Sequence, residues 1–245
     1  MRGACQDLTV KYGHFVALDH INLNIPEGQS AIVLGENGAG KSTLLRTLAG
    51  WIRPTNGRVA INDQYLAQQE RQVRAWVKLV PDTPQFYSDL TVWEHLEIVA
   101  QANHIRHWQD EATSLLTRFG IHRNLRSFPS RFSRGMQYKL ALVMSLITKP
   151  ELLLLDEPYG PLDPDSQIFL AKYLAELVAS GVSVLLSTHV LPDEGAPHRI
   201  LVLEQGRLVL DSFVADVMAA GNITLASLPH NVLTRVLAKV RASDA

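Results

Sequence analysis

Cysteine is almost missing from this sequence: its 245 residues contain only Cys5, so no disulfide can form within the chain. This excludes the class of small secreted domains that disulfides hold together, and it fits a reducing compartment. An excess of charge of one sign is missing too, because 23 Lys and Arg residues face 24 Asp and Glu residues. The formal net charge of −1 therefore gives no indication of a nucleic-acid partner or of an anionic membrane surface.

Long apolar runs are also absent. Residues 1–7 lack the apolar core of a signal peptide. The longest apolar stretches, around 140–147 and 152–155, are far shorter than the roughly 20 residues that span a bilayer. Internal repeats, low-complexity tracts and coiled-coil heptads are missing as well. We expect a chain that is soluble by itself and that reaches a membrane only through a partner.

The sequence does contain alternating strand and helix patterns. Residues 8–25 alternate apolar and polar side chains, which predicts antiparallel strands with one solvated face. The apolar runs at 31–34, 152–155 and 183–187 predict strands that are buried on both faces. Because helical patterns separate these strands, we expect a mostly parallel sheet with helices on both of its faces.

A second part of the chain is helical. Three helical patterns follow one another without a strand, at about 91–102, 108–119 and 133–149, and predict an inserted helical subdomain. The polar residues from about 65 to 80 support no assignment. We expect one domain over 1–245, made of a strand-and-helix core with an antiparallel β-subdomain (1–87 and 150–211), the helical subdomain (88–149) and a short tail (212–245).

A glycine-rich stretch follows the apolar run 31–34 and precedes a helical pattern. Its glycines allow backbone N–H groups to surround an anion without side chains in the way. A lysine adds positive charge for the β- and γ-phosphates, a serine hydroxyl can ligate Mg²⁺, and the positive end of the helix points at the anion. The sequence thus predicts a site for ATP and Mg²⁺. We call this stretch the phosphate loop; its residues are Gly35, Glu36, Asn37, Gly38, Ala39, Gly40, Lys41, Ser42 and Thr43.

Two carboxylates follow the apolar run 152–155. Asp156 and Glu157 leave the end of a buried strand, the edge at which open α/β sheets bind ligands. At this edge Asp156 is placed to hold Mg²⁺ through water, and Glu157 to polarise the water that attacks the γ-phosphate. The alternative is a pair of acidic residues at the surface, which the phosphate loop upstream makes the weaker interpretation.

The ordered set of motifs resembles that of ATP-binding cassette (ABC) ATPases, from about Leu8 to Asp211. Their order, rather than any single segment, makes the resemblance specific. It implies a P-loop NTPase (RecA-like) α/β fold and a Mg²⁺-dependent ATPase. The matching segments are Tyr12, Lys41-Ser42, Phe132-Ser133-Arg134-Gly135-Met136-Gln137, Asp156-Glu157, Leu162-Asp163 and Ser187-Thr188-His189.

The resemblance also implies roles for single residues. Tyr12 would stack on adenine, the alternative being an aromatic side chain in the core. Ser133 and the N–H of Gly135 would contact the γ-phosphate of ATP held by another subunit. His189 would contact the γ-phosphate from the Glu157 side, and Asp163 would lie at the dimer interface. Each chain then holds one half of each site, so two cassettes would pack head to tail around two ATP molecules. The second cassette would be a copy of this chain or a related paralogue.

Two segments depart from the family pattern, the signature and the Q-loop. The signature reads Phe-Ser-Arg-Gly-Met instead of Leu-Ser-Gly-Gly-Gln, so Arg134 and Met136 are substitutions. Asp82 stands where the family has the Q-loop glutamine, and Gln85 lies three residues later. Our hypothesis is that Asp82 is the missing oxygen ligand of Mg²⁺ or its water. The competing idea is that Gln85 reaches back.

The resemblance implies the ATP-hydrolysing subunit of an ABC transporter whose permease is a separate polypeptide, held at the cytoplasmic face of the membrane by that permease. Details such as Pro81-Asp82 and Ser-Thr-His-Val-Leu at 187–191 resemble the type-2 exporter branch. Phe86-Tyr87 and the segment 90–102 would receive the permease, or else form subdomain core. A soluble assembly or scaffold ATPase is the alternative function. Chromosome and repair ATPases fit less well, because they need a coiled-coil insertion or two cassettes.

Overall fold

The computed structural model describes residues 3–189 and 197–219, together with 229, 232 and 234. Ten strands, seven α-helices and two short 3-10 helices (His122–Asn124 and Pro129–Arg131) are found in these ranges. The strands are β1 (Gly3–Tyr12), β2 (Phe15–Ile25), β3 (Ser30–Leu34), β4 (Asn56–Ile61), β5 (Gln64–Tyr65), β6 (Val77–Val80), β7 (Leu152–Asp156), β8 (Ser183–Ser187), β9 (Arg199–Glu204) and β10 (Arg207–Phe213). The helices are α1 (Lys41–Leu48), α2 (Glu70–Trp76), α3 (Val92–Ala102), α4 (Gln109–Arg118), α5 (Arg134–Leu146), α6 (Pro164–Ala179) and α7 (Val214–Ala219).

The expected antiparallel β-subdomain is present at the N-terminus. It is a four-stranded sheet in the order β2-β1-β4-β5, with all neighbours antiparallel. The pairing of β1 with β2 places Tyr12 opposite Phe15 at the hairpin end. The predicted solvated face is found as well, since Leu23 and Ile25 of β2 are buried while Asn22 and Asn24 are exposed.

The second sheet has six strands in the order β10-β9-β3-β8-β7-β6. Five of them, β9, β3, β8, β7 and β6, run parallel, and β10 pairs antiparallel with β9. Side chains of β7 alternate between two cores because successive residues point to opposite faces. Leu153 and Leu155 pack with the helical segment 92–146, whereas Leu152 and Leu154 pack against α1 and the antiparallel sheet. This explains the continuous apolar run.

Helices α3, α4 and α5 follow one another without a strand, as the sequence predicts. Thr91 caps α3 with a capping box: its hydroxyl accepts from the N–H of Glu94, whose carboxylate accepts from the N–H of Thr91. The rings of Trp93 and Trp108 pack 4.8 Å apart between α3 and the start of α4. None of the helices within the described ranges is both long enough and apolar enough to cross a membrane.

The stretch that the sequence left unassigned, 65–80, forms α2 and the edge strand β6. β6 has only four residues and pairs with β7 alone, which is why its pattern is too short to separate strand from helix. At the other end, β10 continues to Phe213 and α7 follows it. Of the predicted tail 212–245, the structure describes 212–219, 229, 232 and 234, and the other positions lie outside the described residues.

Candidate functional site

Four neighbouring parallel strands deliver the candidate residues to one edge of the sheet. β3 leads into the phosphate loop, β8 ends beside His189, β7 ends at Asp156, and β6 ends two residues before Asp82. Because parallel strands have their carboxyl ends at the same edge, residues far apart in sequence meet there. The strand order in space, β3-β8-β7-β6, could not be read from the sequence alone.

The phosphate loop turns tightly into α1. Gly40 precedes the helix with φ at 107°, a left-handed conformation that side-chain-bearing residues rarely adopt. A Cβ atom there would lie 2.6 Å from the carbonyl oxygen of Ala17 in β2. The N–H of Ala39 donates to the carbonyl of Glu36, and its carbonyl accepts from Gly206 in the β9–β10 turn. These contacts within the chain hold the shape of the loop.

Lys41 is buried, with 8% of its surface exposed. Its ammonium Nζ donates to the carbonyl oxygens of Gly35 at 2.8 Å and Glu36 at 3.3 Å. Desolvation by burial lowers the pKa of Lys41, and the charges of Glu157 and Asp156 partly oppose this. The two acidic residues favour the charged form of the buried Lys41 side chain. A charged Lys41 is what binding of a phosphate chain requires.

Ser187, the last residue of β8, holds the two acidic residues at the end of β7. The Ser187 hydroxyl donates to Oδ1 of Asp156 at 2.7 Å and accepts from the N–H of Glu157 at 3.1 Å. Asp156 is buried, and its carbonyl oxygen also accepts from the hydroxyl of the fully buried Tyr138 in α5 at 3.3 Å. Glu157 has φ at 49°, an uncommon conformation for a residue with a side chain, of the kind that clusters at functional sites.

His189 contacts both principal charges of the site. Its Nε2 atom lies 3.3 Å from Oε1 of Glu157 and 3.3 Å from Nζ of Lys41. His189 therefore lies beside both Glu157 and Lys41. Its contact with the γ-phosphate stays a prediction. The side chain of His189 is 45% exposed, so it can turn towards a ligand without opening the core.

A cavity of about 330 Å³ lies beside the phosphate loop, and we call it the phosphate-loop cavity. Tyr12 lines it and is 50% exposed, so the alternative placement of this ring in the core is wrong. Phe15, directly opposite Tyr12 in the hairpin, adds a second exposed aromatic ring that the sequence analysis did not single out. The lining residues are Tyr12, Phe15, Ala17, Asn37, Gly38, Ala39, Gly40, Lys41, Ser42, Thr43, Asp82, Asp156 and Glu157.

The oxygen donors expected for Mg²⁺ line this same cavity: the hydroxyl of Ser42 and the carboxylates of Asp82 and Asp156. No group of three or more His, Cys, Asp or Glu side chains able to hold a metal ion is found within the described ranges. Mg²⁺ with a nucleotide needs only one or two carboxylates, since phosphates and waters complete its octahedron. The donor set therefore fits Mg²⁺ bound together with a nucleotide.

Asp82 and Gln85 are separated by the structure. Asp82 lines the phosphate-loop cavity, whereas Gln85 lines a different, apolar groove described below. Oδ1 of Asp82 also accepts from the guanidinium of Arg134 at 2.5 Å. Asp82 and Arg134 both depart from the family pattern and are ion-paired with each other, 52 residues apart in the chain.

Five predicted residues do not line the phosphate-loop cavity: Gly35, Ser133, Gly135, Asp163 and His189. Ser133 caps α5, its hydroxyl accepting from the N–H of Met136 at 3.3 Å. A Cβ atom on Gly135 would lie 2.6 Å from the carbonyl oxygen of Pro161, so this glycine allows close packing within its own chain. Asp163 caps α6 and accepts from Lys139 at 2.6 Å.

Sequence reasoning missed the residues that act between segments. Phe15 could have been found from its position opposite Tyr12 across a short turn. Ser187 was noted only as the neighbour of His189, and no local pattern reveals its bonds to Asp156 and Glu157. Tyr138 likewise contacts Asp156 only through the tertiary fold.

The glycine loop between β3 and α1 and the acids at the end of β7 define a P-loop NTPase. Residues 18–160 match the ABC transporter family. The chain belongs to this family, and it is an ABC-type ATPase and the ATP-binding subunit of an ABC transporter.

Several curated proteins are similar to this chain. The ABC-type transporter ATP-binding protein EcsA of Bacillus subtilis is 33% identical, with 76% of each chain covered. The bacitracin transport ATP-binding protein BcrA of Bacillus licheniformis is 31% identical over 83% of this chain and 67% of the relative. The aliphatic sulfonates import ATP-binding protein SsuB 3 of Pseudomonas syringae pv. tomato is 34% identical over 96% and 86%.

A solved structure has nearly the same fold. It is described as the ATP-binding subunit of an ABC transporter, and it superposes with a TM-score of 0.87 at 30% identity. The match covers 98% of this chain and 100% of that one. The expected fold, with its N-terminal antiparallel sheet, largely parallel second sheet and inserted helices, is confirmed.

Proposed function

We propose that this chain powers an ABC exporter by binding and hydrolysing Mg²⁺-ATP between two cassettes that close head to tail. The proposal rests on one cavity. It is lined by residues of the phosphate loop, by the carboxylates of Asp156 and Glu157 at the end of β7, and by the exposed rings of Tyr12 and Phe15. The permease is a separate polypeptide, and it holds the cassette at the cytoplasmic face of the membrane. Mg²⁺ would be held by Ser42, Asp156 and Asp82 and would neutralise phosphate charge.

The chemical step follows from the contacts of Glu157. The Glu157 carboxylate is the base that orients and deprotonates the attacking water. The Ser187 hydroxyl accepts from the backbone N–H of Glu157 and donates to Asp156, and these two hydrogen bonds hold Glu157 in place. Lys41 supplies positive charge to the β- and γ-phosphates. His189 stands between Lys41 and Glu157 and contacts the γ-phosphate.

The aromatic pair at the hairpin end serves the base of the nucleotide. Tyr12 and Phe15 are 50% and 62% exposed, an unusual position for two large rings unless a ligand covers them. A ring face binds a purine without needing specific hydrogen bonds. Tyr12 therefore stacks on adenine, and Phe15 completes the apolar edge beside it.

A single chain offers only part of the site. Ser133, Gly135 and Asp163 do not contribute to the lining of the phosphate-loop cavity of their own chain. The hydroxyl of Ser133 and the first N–H groups of α5 form a helix N-terminus, which favours an anion. We assign this surface to the ATP of a second cassette, with Asp163 at the interface, so that ATP closes the pair and hydrolysis opens it.

A large groove is suited to the permease. It has a volume of about 810 Å³ and lies between the end of α1, the segment after β6 and the helical subdomain, and we call it the apolar groove. Trp51 at its rim is 55% exposed, and Tyr87, next to the groove residue Phe86, is 67% exposed. Exposed rings around an apolar groove are typical of a protein interface. This assigns Phe86 to the interface rather than to core alone, and α3 contributes Val99.

Export is supported by the relatives named for bacitracin transport and for daunorubicin resistance, and by the Pro81-Asp82 and Ser133-Arg134-Gly135-Met136 segments. The relatives named for sulfonate import are equally similar in identity, so the direction is our inference from motifs. Of the 187–191 segment, Val190 and Leu191 lie outside the described residues.

An affinity pull-down of the Glu157→Gln protein from detergent-solubilised source membranes, with Mg²⁺-ATP, tests this proposal. We expect a multispanning membrane protein to be recovered with it. Trp51→Ala in the apolar groove should reduce that recovery, whereas Ile168→Ala, an exposed apolar residue on α6, should not. Recovery of soluble proteins alone would instead identify a scaffold ATPase.

A further inference from the structure

The phosphate-loop cavity carries an excess of negative charge in its wall. Asp82, Asp156 and Glu157 line it, and Lys41 is the cationic side chain among its lining residues. A nucleotide triphosphate brings several more negative charges into the same space. Each cavity carboxylate without a counter-charge weakens binding of the nucleotide, because negative charges repel each other across a small cavity.

Asp82 is the carboxylate that this chain adds. The family pattern has an uncharged glutamine at this position, and its side-chain oxygen can bind a metal without adding charge. A carboxylate here binds Mg²⁺ at least as well as an amide. It also repels the phosphates whenever the metal is not in place.

Arg134 offsets this charge from outside the cavity. It is the first residue of α5 and donates to Oδ1 of Asp82 at 2.5 Å, but it is not among the cavity-lining residues. The family has glycine at this position, so nothing there could pair with a carboxylate. Asp82 and Arg134 are therefore departures from the family pattern that partner each other.

We propose that Arg134 is a positioning residue for Asp82: it neutralises and holds this carboxylate at the wall of the phosphate-loop cavity, so that nucleotide can bind before Asp82 engages the metal. This inference rests on the proposed function of Asp82 in the nucleotide site. The pair also joins the segment after β6 to the first turn of α5, so it links the core to the helical subdomain. Both side chains are partly exposed, 38% for Asp82 and 61% for Arg134, which makes the pair exchangeable rather than permanent.

The pairing makes the effect of Arg134 conditional on Asp82. If Arg134 acts by neutralising Asp82, its removal matters only while a carboxylate occupies position 82. We therefore compare four proteins: the unsubstituted chain, Asp82→Gln, Arg134→Gly, and the double variant that carries the family residues at both positions. The measurement is the ATP dissociation constant by calorimetry, with EDTA and again with Mg²⁺.

In EDTA we expect Arg134→Gly to weaken ATP binding about three- to fivefold in the unsubstituted background and to leave it unchanged in the Asp82→Gln background. Mg²⁺ should shrink the first difference, because the metal supplies the missing positive charge. Arg134→Lys, which keeps a cation, should retain most of the affinity. Arg131→Gly is the matched control, since Arg131 lies nearby in sequence over the Phe128 ring, 5.9 Å from its centroid.

An equal loss of affinity in both backgrounds would overturn the proposal, because Arg134 would then act on the nucleotide or on the helix directly. No loss in either background would overturn it as well. Failure of the unsubstituted chain to bind ATP under any condition would instead contradict the proposed function. If Arg134→Gly does not fold, Arg134→Gln removes the charge while keeping a long side chain and gives the same comparison.

Discussion

The Nε2 atom of His189 lies 3.3 Å from the Oε1 atom of Glu157. The same nitrogen lies 3.3 Å from Nζ of Lys41, so one imidazole joins the acid after β7 to the cation of the phosphate loop. These residues come from three different strand ends and are brought together by the order β3-β8-β7. The arrangement couples the group that we propose activates water to the group that we propose holds the γ-phosphate.

Glu157→Gln tests the chemical step. Glutamine keeps the size and hydrogen-bonding oxygen of the side chain but cannot accept the proton of water, so kcat should fall by about 10²- to 10⁴-fold while ATP binding remains. Steady-state phosphate release and equilibrium ATP binding measure the two effects. Glu97→Gln, an exposed change on α3, is the control. Near-normal turnover of Glu157→Gln would place the base elsewhere.

The aromatic edge is tested by Tyr12→Ala. Loss of the stacking surface should weaken ATP binding about two- to tenfold, and Tyr12→Phe should restore it because the ring rather than the hydroxyl is needed. Phe213→Ala removes an equally exposed ring from β10, outside the lining of the phosphate-loop cavity, and should have no effect. Unchanged affinity of Tyr12→Ala for ATP would exclude the stacking role.

Asp82 and Gln85 give opposite expectations. Asp82 lines the phosphate-loop cavity, so Asp82→Ala should lower turnover and raise the Mg²⁺ concentration needed for half-maximal ATPase activity. Gln85 lines the apolar groove, so Gln85→Ala should leave the ATPase activity of the isolated protein close to normal. A Mg²⁺ titration of ATP hydrolysis separates them. Loss of turnover with Gln85→Ala but not with Asp82→Ala would reverse the assignment.

How much could be predicted from the sequence depended on whether the information was local. The phosphate loop and the carboxylates at the end of β7 could be predicted because each lies within one short segment with fixed residue spacing. The buried strands could be predicted as apolar runs because both of their faces are covered. β6 and α2 were missed because each spans at most seven residues. Such short segments show no clear period.

Contacts between distant segments could not be predicted. Asp82 and Arg134 were each recognised as departures from a family pattern, but their ion pair depends on packing α5 beside the end of β6. The bonds of Ser187 to Asp156 and Glu157 depend in the same way on the neighbourhood of β7 and β8. The division into domains and the roles of the site residues stay predictions, and the variants above test those roles.

Asp163 makes stability depend on pH. The hydrogen bond from Lys139 lowers the pKa of the Asp163 carboxyl from 3.8 to about 2. A lowered carboxyl pKa adds stability that is present above about pH 4 and is lost as the pH falls towards 2. Because Asp163 is 52% exposed, solvent screening limits this contribution to about 1 kcal/mol or less.

Asp163→Asn removes the charge but keeps a side chain that can cap α6. Its free energy of unfolding should be lower than that of the unsubstituted protein by up to about 1 kcal/mol at pH 6, and the difference should shrink between pH 4 and pH 3. Urea denaturation at each pH measures this. Asp165→Asn removes a charge from the same turn and serves as the control. A difference that stays constant with pH would contradict the ion-pair explanation.

Our central proposal is that ATP closes two cassettes around shared sites. For a pair made of two copies of this chain, the mass of the Glu157→Gln protein in solution tests it most directly. Sedimentation should give a monomer without nucleotide or with ADP, and a dimer with Mg²⁺-ATP. Adding Lys41→Ala, which removes phosphate binding, should abolish the dimer. A protein that binds Mg²⁺-ATP and yet remains a monomer at every concentration would contradict the claim.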